Sequence, residues 1–499
     1  MEDKTSRLFW FWLGGLALLG GVMVYLMSSV LGLGMNAEAV TYTQAARHFL
    51  LAKGMSVFNH AGELAPLDGY PPVFPALLAA AWFIGLSFAE WARLLNSVFF
   101  GGSIFLAGSI VYYVRGSRFA ALVTAGIFMA SVHILKAHGL LVAEPLFIFL
   151  VLAGFRGLLV FVNTGSRSAL YMAALLAAAS VLTSYYGAAF ALAGFYWLLR
   201  QGRAEGKARD AFLFLLAVSV LPAVWFVRNA VLTGNILGIS SGAVPEGVAS
   251  RLLAVVSAVS GWLLPAKVPV LLHLTVLAVV LALLVIWLKN NCQSFGAEVK
   301  RALSLAVIFL VLFFLAALSG IVPGQILFAD HMKLVALYAM FALIFGLLVP
   351  VACEFKTAYC KVAVGLVVGF FGLACARAVN LALILNKEGD GYSSKATGAS
   401  KLTETLRSID DRVPLYSNDP QAVYYFAGRP AIMVPGGAGN GALVSQVMSA
   451  DFNSRRAVAV IFNQAPGFSV KVWEQSAATL GLVPLLKDKD GVILGLKKK

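Results

Sequence analysis

Glu38 and Tyr42 stand four residues apart in GMNAEAVTYTQAARHFL, Gly34 to Leu50, a stretch that follows directly on an almost purely apolar run. The segment AEAVTYTQAARHFLLAKG has helical period: Glu38, Tyr42 and Ala45/Ala46 recur at three- and four-residue steps, so the acid and the phenol share one face of a short helix. A carboxylate oriented in this way can act as a general base toward an attacking hydroxyl or amine. A second set of residues is cationic: Arg93, Lys136, Arg228, His331 and Lys333 all stand at ends of apolar runs, where guanidinium and ammonium groups can hold phosphate oxygens. Glu144, in LVAEPLF, is a second acid, suited to binding an acceptor or to supporting the base from behind. Arg47, on the Glu38 helix, and Tyr70, before Pro71 and Pro72, complete the candidates for substrate contact. Each has a plainer alternative. Glu38 reads equally as a solvated loop acid, the cations as side chains snorkelling to an interface, and Glu144 as a helix-start acid favoured by the dipole beside Pro145. Tyr70 with its two prolines also serves simply to shape the loop. An acid at the mouth of a membrane span is costly enough, however, to imply a partner.

The elements that must position these groups are membrane helices. Hydrophobic residues make up 60% of the 499 positions and charged residues only 12%, with a mean hydropathy of +0.86; soluble domains are about a quarter charged. The net charge of +15 lies in short clusters between apolar runs, a topology signal that argues against nucleic-acid binding. A window of about 20 apolar residues finds about eleven spans, near 8–31, 93–114, 119–135, 145–163, 168–183, 187–199, 210–227, 268–288, 302–320, 334–352 and 362–385. Lys4 and Arg7 precede the first, which is too long for a signal-peptide core and reads as an uncleaved anchor.

One stretch decides the topology. YPPVFPALLAAAWFIGLSFAEW, Tyr70 to Trp91, is apolar but short and Pro-rich. If it lies in the outer leaflet without crossing, the clusters Arg115/Arg118, Arg167, Arg200/Arg203/Lys207/Arg209, Lys289/Lys300/Arg301 and Lys356/Lys361 all fall inside, as the positive-inside rule requires. Glu38 and the cationic span ends then face outward. VASRLLAVVSAVSGWLLPA, within 228–267, is likewise short and amphipathic and is expected along the interface.

After KEGDGYSSKATGAS the chain changes character. KLTETLRSI and PQAVYYFAG read as helices, and VPLYS, AVAVIF and GVILGL as strands, giving a small α/β domain outside the membrane. The expected organisation is a membrane domain over 1–385 with a first external loop at 32–92, a linker over 386–398, and an extracytoplasmic α/β domain over 399–499. Within SNDPQAVYYFAGRP, Asp419 and Arg429 are either handles for a sugar or acceptor, or structural residues, with Asn418 and Asp419 capping the helix at Pro420. The four cysteines show neither CxxC nor metal spacing. His48, His60, Asp68 and His138 lie in or near the external region without an H-x-x-x-H or D-x-D pattern, so no obligatory metal is expected, although a divalent cation is compatible with the set.

The blocks AEAVTYTQAARHFLLAKG, DGYPPVFPALLAA, RLLNSVFFGGSIFLAGSIVYYVRGSRFAALVTAGIF and AEPLFIFLVLAGF resemble, in order and spacing, those of the GT-C glycosyltransferases. The branch they resemble contains the protein O-mannosyltransferases and the lipid A aminoarabinose transferase. VLTSYYGAAFALAG, WFVRNAVLTGNILG and LYSNDPQAVYYFAGRPA are similar to later blocks of bacterial members. The resemblance implies an all-α polytopic bundle with a small outer α/β domain. It implies an inverting glycosyltransferase that takes sugar from a polyprenyl-phosphate donor and delivers it to a lipid, glycan or protein acceptor on the periplasmic side of a bacterial inner membrane. It makes Glu38, four residues before Tyr42, the catalytic acid of the first external loop, with Glu where the family usually has Asp. The competing class is a transporter or flippase of a lipid-linked sugar; no internal repeat points to it, and Arg156 and Arg377 are the charges nearest the bilayer interior.

Overall fold

The computed structural model describes residues 2–202, 206–238, 247–261, 269–291, 293, 295–320, 332–353, 358–434, 451–452, 457–463 and 481–496. The chain divides into two compact units: residues 1–27, 68–74 and 93–383 form one, and 28–67, 75–92 and 384–499 the other.

The helices follow in order as α1 (Glu2–Met27), α2 (Ala37–Leu50), α3 (Val73–Ala79), α4 (Phe88–Arg115), α5 (Arg118–Ala130), α6 (Val132–His138), α7 (Glu144–Thr164), α8 (Arg167–Val181), α9 (Gly187–Gln201), α10 (Lys207–Thr233), α11 (Val248–Gly261), α12 (Val270–Asn291), α13 (Ala297–Ser319), α14 (Val335–Cys353) and α15 (Ala358–Glu388). A helix stands at each apolar run found in the sequence. Among the described residues five are long and apolar enough to cross a membrane, or six if the bent pair α5 and α6 is one span. The protein is therefore an integral membrane protein. In lipid a helix satisfies its own backbone, which is why the apolar runs take this form.

Three local devices shape the first unit. Small residues let helices touch: a Cβ on Gly101 of α4 would lie 2.6 Å from the Ala17 carbonyl oxygen of α1, and one on Gly157 of α7 would lie 3.0 Å from the Ala173 Cβ of α8. Serines start helices, as where Ser117 and Ser166 accept from the amides of Ala120 and Ala169. Ser131 does both jobs, breaking one helix and capping the next. Its extended backbone (φ −72°, ψ 111°) ends α5, its side chain accepts from the Ile134 amide to begin α6, and the two segments meet at 59°. Asn96 of α4, fully buried, then donates from Nδ2 to the carbonyls of His138 (3.0 Å) and Leu140 (2.8 Å), closing the end of α6 just before Glu144.

α3 has seven residues and runs into a 3₁₀ turn, Ala80–Ile84. At 1.5 to 2 Å per residue these elements fall well short of the roughly 30 Å hydrocarbon core. Trp82 and Phe83 on that turn are 71% and 83% exposed, apolar surface on a segment of less than membrane-spanning length.

In the second unit, strands β1 (Ser56–Phe58) and β2 (Leu64–Pro66) form an antiparallel hairpin that the sequence reading did not anticipate. The C-terminal residues build β3 (Leu415–Ser417), β4 (Ile432–Met433), β5 (Val458–Phe462), β6 (Leu482–Asp488) and β7 (Gly491–Leu496), in the spatial order β4-β3-β5-β7-β6. β3 runs parallel to β4 and β5, whereas β7 is antiparallel to β5 and β6. Alternate residues of β5 serve two cores: Val460 and Phe462 join Leu402, Leu406, Val423 and Phe426, while Ala459 and Ile461 join Tyr416, Phe452 and Leu494. This explains why AVAVIF reads as a continuous apolar run. The helices α16 (Lys395–Gly398), α17 (Lys401–Ser408) and α18 (Pro420–Ala427) also belong to the unit. The stretch expected as a linker is hydrogen-bonded to the start of the unit, with the Tyr392 amide on the Met35 carbonyl and the Met35 amide on the Asp390 carbonyl.

Asp419 caps α18, accepting from the Ala422 amide at 3.1 Å and from the Tyr392 hydroxyl at 2.6 Å. Burial pushes its carboxyl above the usual carboxylate range, and the Tyr392 and backbone donors pull it partly back. Replacing Asp419 by Ala is expected to lower stability by about 1 kcal/mol, while Asn, which keeps the cap, costs much less. Because the folded carboxyl is raised, its contribution is most favourable at low pH and declines as pH rises through the raised value. The thermal midpoint of the Asn variant, followed against pH in detergent, should lack that decline.

Candidate functional site

The candidate residues fall into two sets, one in each unit. In the second unit α2 begins at an Asn36 cap whose Oδ1 accepts from the Ala39 amide at 2.9 Å. Glu38 therefore sits in the first helical turn, where the dipole favours an acid. The Tyr42 hydroxyl donates to Glu38 Oε1 at 2.7 Å, and the two residues are only 1% and 6% exposed. The four-residue spacing thus becomes a buried hydrogen bond that fixes the carboxylate in place. Arg47 is exposed and, nine residues on, lies on the opposite face of α2, so the helix does not bring it to Glu38.

In the first unit the structure joins two candidates that sequence distance keeps apart. Lys333, in the 3₁₀ turn Met332–Leu334, places Nζ 2.5 Å from Oε1 of Glu144, the first residue of α7; the side chains are 12% and 4% exposed. A lysine is therefore one partner of the costly acid at the span's mouth. His331 lies outside the described residues.

Arg228 of α10 lies with its guanidinium carbon 4.6 Å from the Trp225 ring centre and donates to Asn229 Oδ1 at 2.9 Å. The Trp225 indole donates to the Tyr185 hydroxyl at 3.1 Å, which in turn donates to the Asp68 carbonyl at 2.8 Å. Burial pushes the Tyr185 phenol up to about 12, so it remains a donor at neutral pH. Tyr185 and Trp225 were not singled out in the sequence, because an aromatic at the end of an apolar run gives no signal of its polar contacts. Tyr70, half-buried, belongs to the short 68–74 piece of this unit, which the Val73 amide ties to the Leu182 carbonyl at 2.9 Å.

The remaining cations occupy separate settings. Arg93 lies over the Tyr25 ring at 4.4 Å and donates to its hydroxyl at 3.2 Å. Lys136, half-buried on α6, lies within electrostatic reach of His133. Among the described residues no group of three or more His, Cys, Asp or Glu side chains stands together as a metal site. His48 and His138 instead bond through Nδ1 to the carbonyls of Ser56 (2.8 Å) and Ile134 (2.7 Å). Arg429 donates to the carbonyls of Ile409, Asp410 and Val413. With Asp419 capping α18, both handles suggested for an acceptor pocket serve the fold.

The fold is that of the GT-C glycosyltransferases, as a helical membrane protein carrying a small strand sheet. Among solved structures, the ArnT protein of Cupriavidus metallidurans bound to undecaprenyl phosphate matches with a TM-score of 0.63, over 96% of this chain and 97% of that one, at 14% identity. The archaeal oligosaccharyltransferase AglB of Archaeoglobus fulgidus, solved with an inhibitory peptide and a dolichol-phosphate, matches at 0.55 over 91% of this chain and 69% of that one, at 12% identity. The arabinofuranosyltransferase AftD from Mycobacteria matches at 0.54 over 98% of this chain and 42% of that one, also at 12% identity. No family model and no curated protein sequence matches the chain.

The Glu144–Lys333 pair makes a direct prediction. Lys333→Met removes the ammonium that pairs with a buried carboxylate and should cost up to about 3–5 kcal/mol, whereas Lys333→Met combined with Glu144→Gln should recover most of the loss. Thermal or denaturant unfolding of both variants in detergent measures the difference.

Proposed function

We propose that this chain is a membrane glycosyltransferase that moves a sugar from a polyprenyl-phosphate donor to a lipid, glycan or protein acceptor outside the cytoplasm. The observation that carries the reading is a buried, tyrosine-held carboxylate, Glu38, in a chain with the GT-C fold. Glu38 takes the proton of the acceptor hydroxyl or amine as that group attacks the anomeric carbon. The bond from this carbon to the phosphate oxygen breaks, the polyprenyl phosphate leaves with the electron pair, and a single displacement inverts the centre. Cations stabilise the charge that grows on the leaving phosphate.

Arg228 and Lys333 are the leading cations, since each is half-buried and held by a neighbour, Trp225 and Glu144 respectively. Tyr70, Arg93, Lys136 and His331 are proposed as further contacts to donor or acceptor, and Glu144 as the residue that orients Lys333 or the acceptor. The spans number about eleven in this reading, at about 20 apolar residues each. Glu38 and the C-terminal residues face the periplasm of a bacterial inner membrane, and no cofactor is obligatory. The neighbouring structures support a lipid-phosphate donor because two of them were solved with undecaprenyl phosphate and a dolichol-phosphate. Translocation of a lipid-linked sugar is the second reading, favoured by the 59° break between α5 and α6.

Purified protein in nanodiscs, offered a panel of radiolabelled polyprenyl-phosphate sugars and membrane-extract acceptors, should transfer one of them. Glu38→Gln should lower the rate by roughly 10²-fold or more. Tyr42→Phe, which keeps the carboxylate but removes the hydroxyl that donates to it, should cost about tenfold, a fraction of what a misplaced group can lose. Wild-type rates in Glu38→Gln would remove the base from the mechanism.

A further inference from the structure

Helix α2 is fastened from behind. Glu38 and Tyr42 occupy one face, while Gln44 and His48, also four residues apart, occupy another. Gln44 is 1% exposed, and both ends of its amide are used: Oε1 accepts from the Phe58 amide at 3.2 Å, and Nε2 donates to Oε1 of Gln421 at 2.9 Å. His48 bonds to the Ser56 carbonyl and meets the Phe58 ring edge-on at 5.3 Å. The Phe58 ring in turn lies 5.7 Å from that of Tyr424, and the Met433 amide donates to the His60 carbonyl at 2.7 Å. The hairpin β1–β2 thus lies against both α2 and the C-terminal residues, all within one compact unit.

The Gln44–Gln421 bond spans 377 positions of sequence, and its far end is rigidly supported. Gln421 is the second residue of α18, whose start is fixed by the Asp419 cap and by Asn418, which donates to and accepts from the backbone of Phe462 on β5 at 2.8 Å each. An amide pair with one end buried specifies position more than it adds stability: it is satisfied in one register, and slippage of α2 leaves the buried Gln44 amide without partners at a cost of about 1–3 kcal/mol.

We propose that Gln421 is a positioning residue for Glu38, and that the C-terminal α/β residues serve the reaction by holding the helix that carries the base. The role rests on the reading of Glu38 as general base. It assigns these residues a part in catalysis whether or not they also bind acceptor.

The test uses the full chain in nanodiscs with Gln421→Leu, Gln421→Glu, Gln44→Leu and the double variant Gln44→Leu/Gln421→Leu. Hydrogen exchange of peptides covering 37–50 is read first, with peptides covering 415–433 as the check that the sheet is folded. Gln421→Leu should speed exchange in α2 while leaving 415–433 protected. Gln421→Glu, whose carboxylate still accepts from Gln44, should restore α2 protection. In transfer assays Gln421→Leu should lower kcat by about tenfold, within the range that a displacement of about 1 Å produces, with KM for the donor unchanged. Gln421→Glu should recover the rate, and the double variant should be no slower than Gln44→Leu alone. Unchanged exchange in α2 and an unchanged kcat in Gln421→Leu would overturn the proposal. Faster α2 exchange in Gln421→Leu, together with a wild-type protein that transfers no sugar, would instead overturn the glycosyltransferase reading and keep the mechanical link.

Discussion

A carboxylate taken out of water costs free energy unless donors replace the hydration it has lost, and this requirement governs both acids of the candidate machinery. At Glu38 the Tyr42 hydroxyl, one helical turn on, is such a donor, and a local spacing of four residues supplies it. At Glu144 it comes from Lys333, which only the packing of distant helices can deliver. Much of the surrounding structure is a consequence of these two demands. The Asn36 cap, the hairpin and the Gln44–Gln421 bond fix where α2 begins and how it is rotated. The Ser131 break and the Asn96 clamp fix where α7 begins.

What could be read from the sequence divides along the same line between local and distant. The apolar runs announce the helices because a lipid environment permits little else, and helical period alone places Glu38 and Tyr42 on one face. PQAVYYFAG gave its own boundaries, an Asp cap before and a left-handed Gly428 after, and both stand in the structure. β1 and β2 were missed because three-residue strands carry too little alternation to register. β6 was missed because Pro484 interrupts it, which an edge strand tolerates and a sequence pattern does not reveal.

The side-chain partnerships were the least legible part. Nothing in Gln44 or Gln421 distinguishes them from solvated glutamines, and Tyr185 and Trp225 look like ordinary apolar residues until their polar atoms are seen to link Asp68 with the Arg228 helix. Arg47 shows the reach of local geometry: nine residues after Glu38, it is placed by the helix on the opposite face. Charge type suggested which residues could bind phosphate, whereas the neighbours that hold them are set by packing: Glu144 for Lys333, Trp225 for Arg228 and Tyr25 for Arg93, all three cations being half-buried.

The central claim is that the sugar leaves its phosphate carrier on this protein, and the fate of that bond is the most direct test. A polyprenyl-phosphate sugar labelled separately on the sugar and on the phosphate would be incubated with the protein in sealed proteoliposomes together with acceptor. The account predicts free polyprenyl phosphate appearing one for one with acceptor-bound sugar. If both labels instead stay in a single molecule that crosses the bilayer, the protein moves its lipid-linked substrate intact and the account is contradicted.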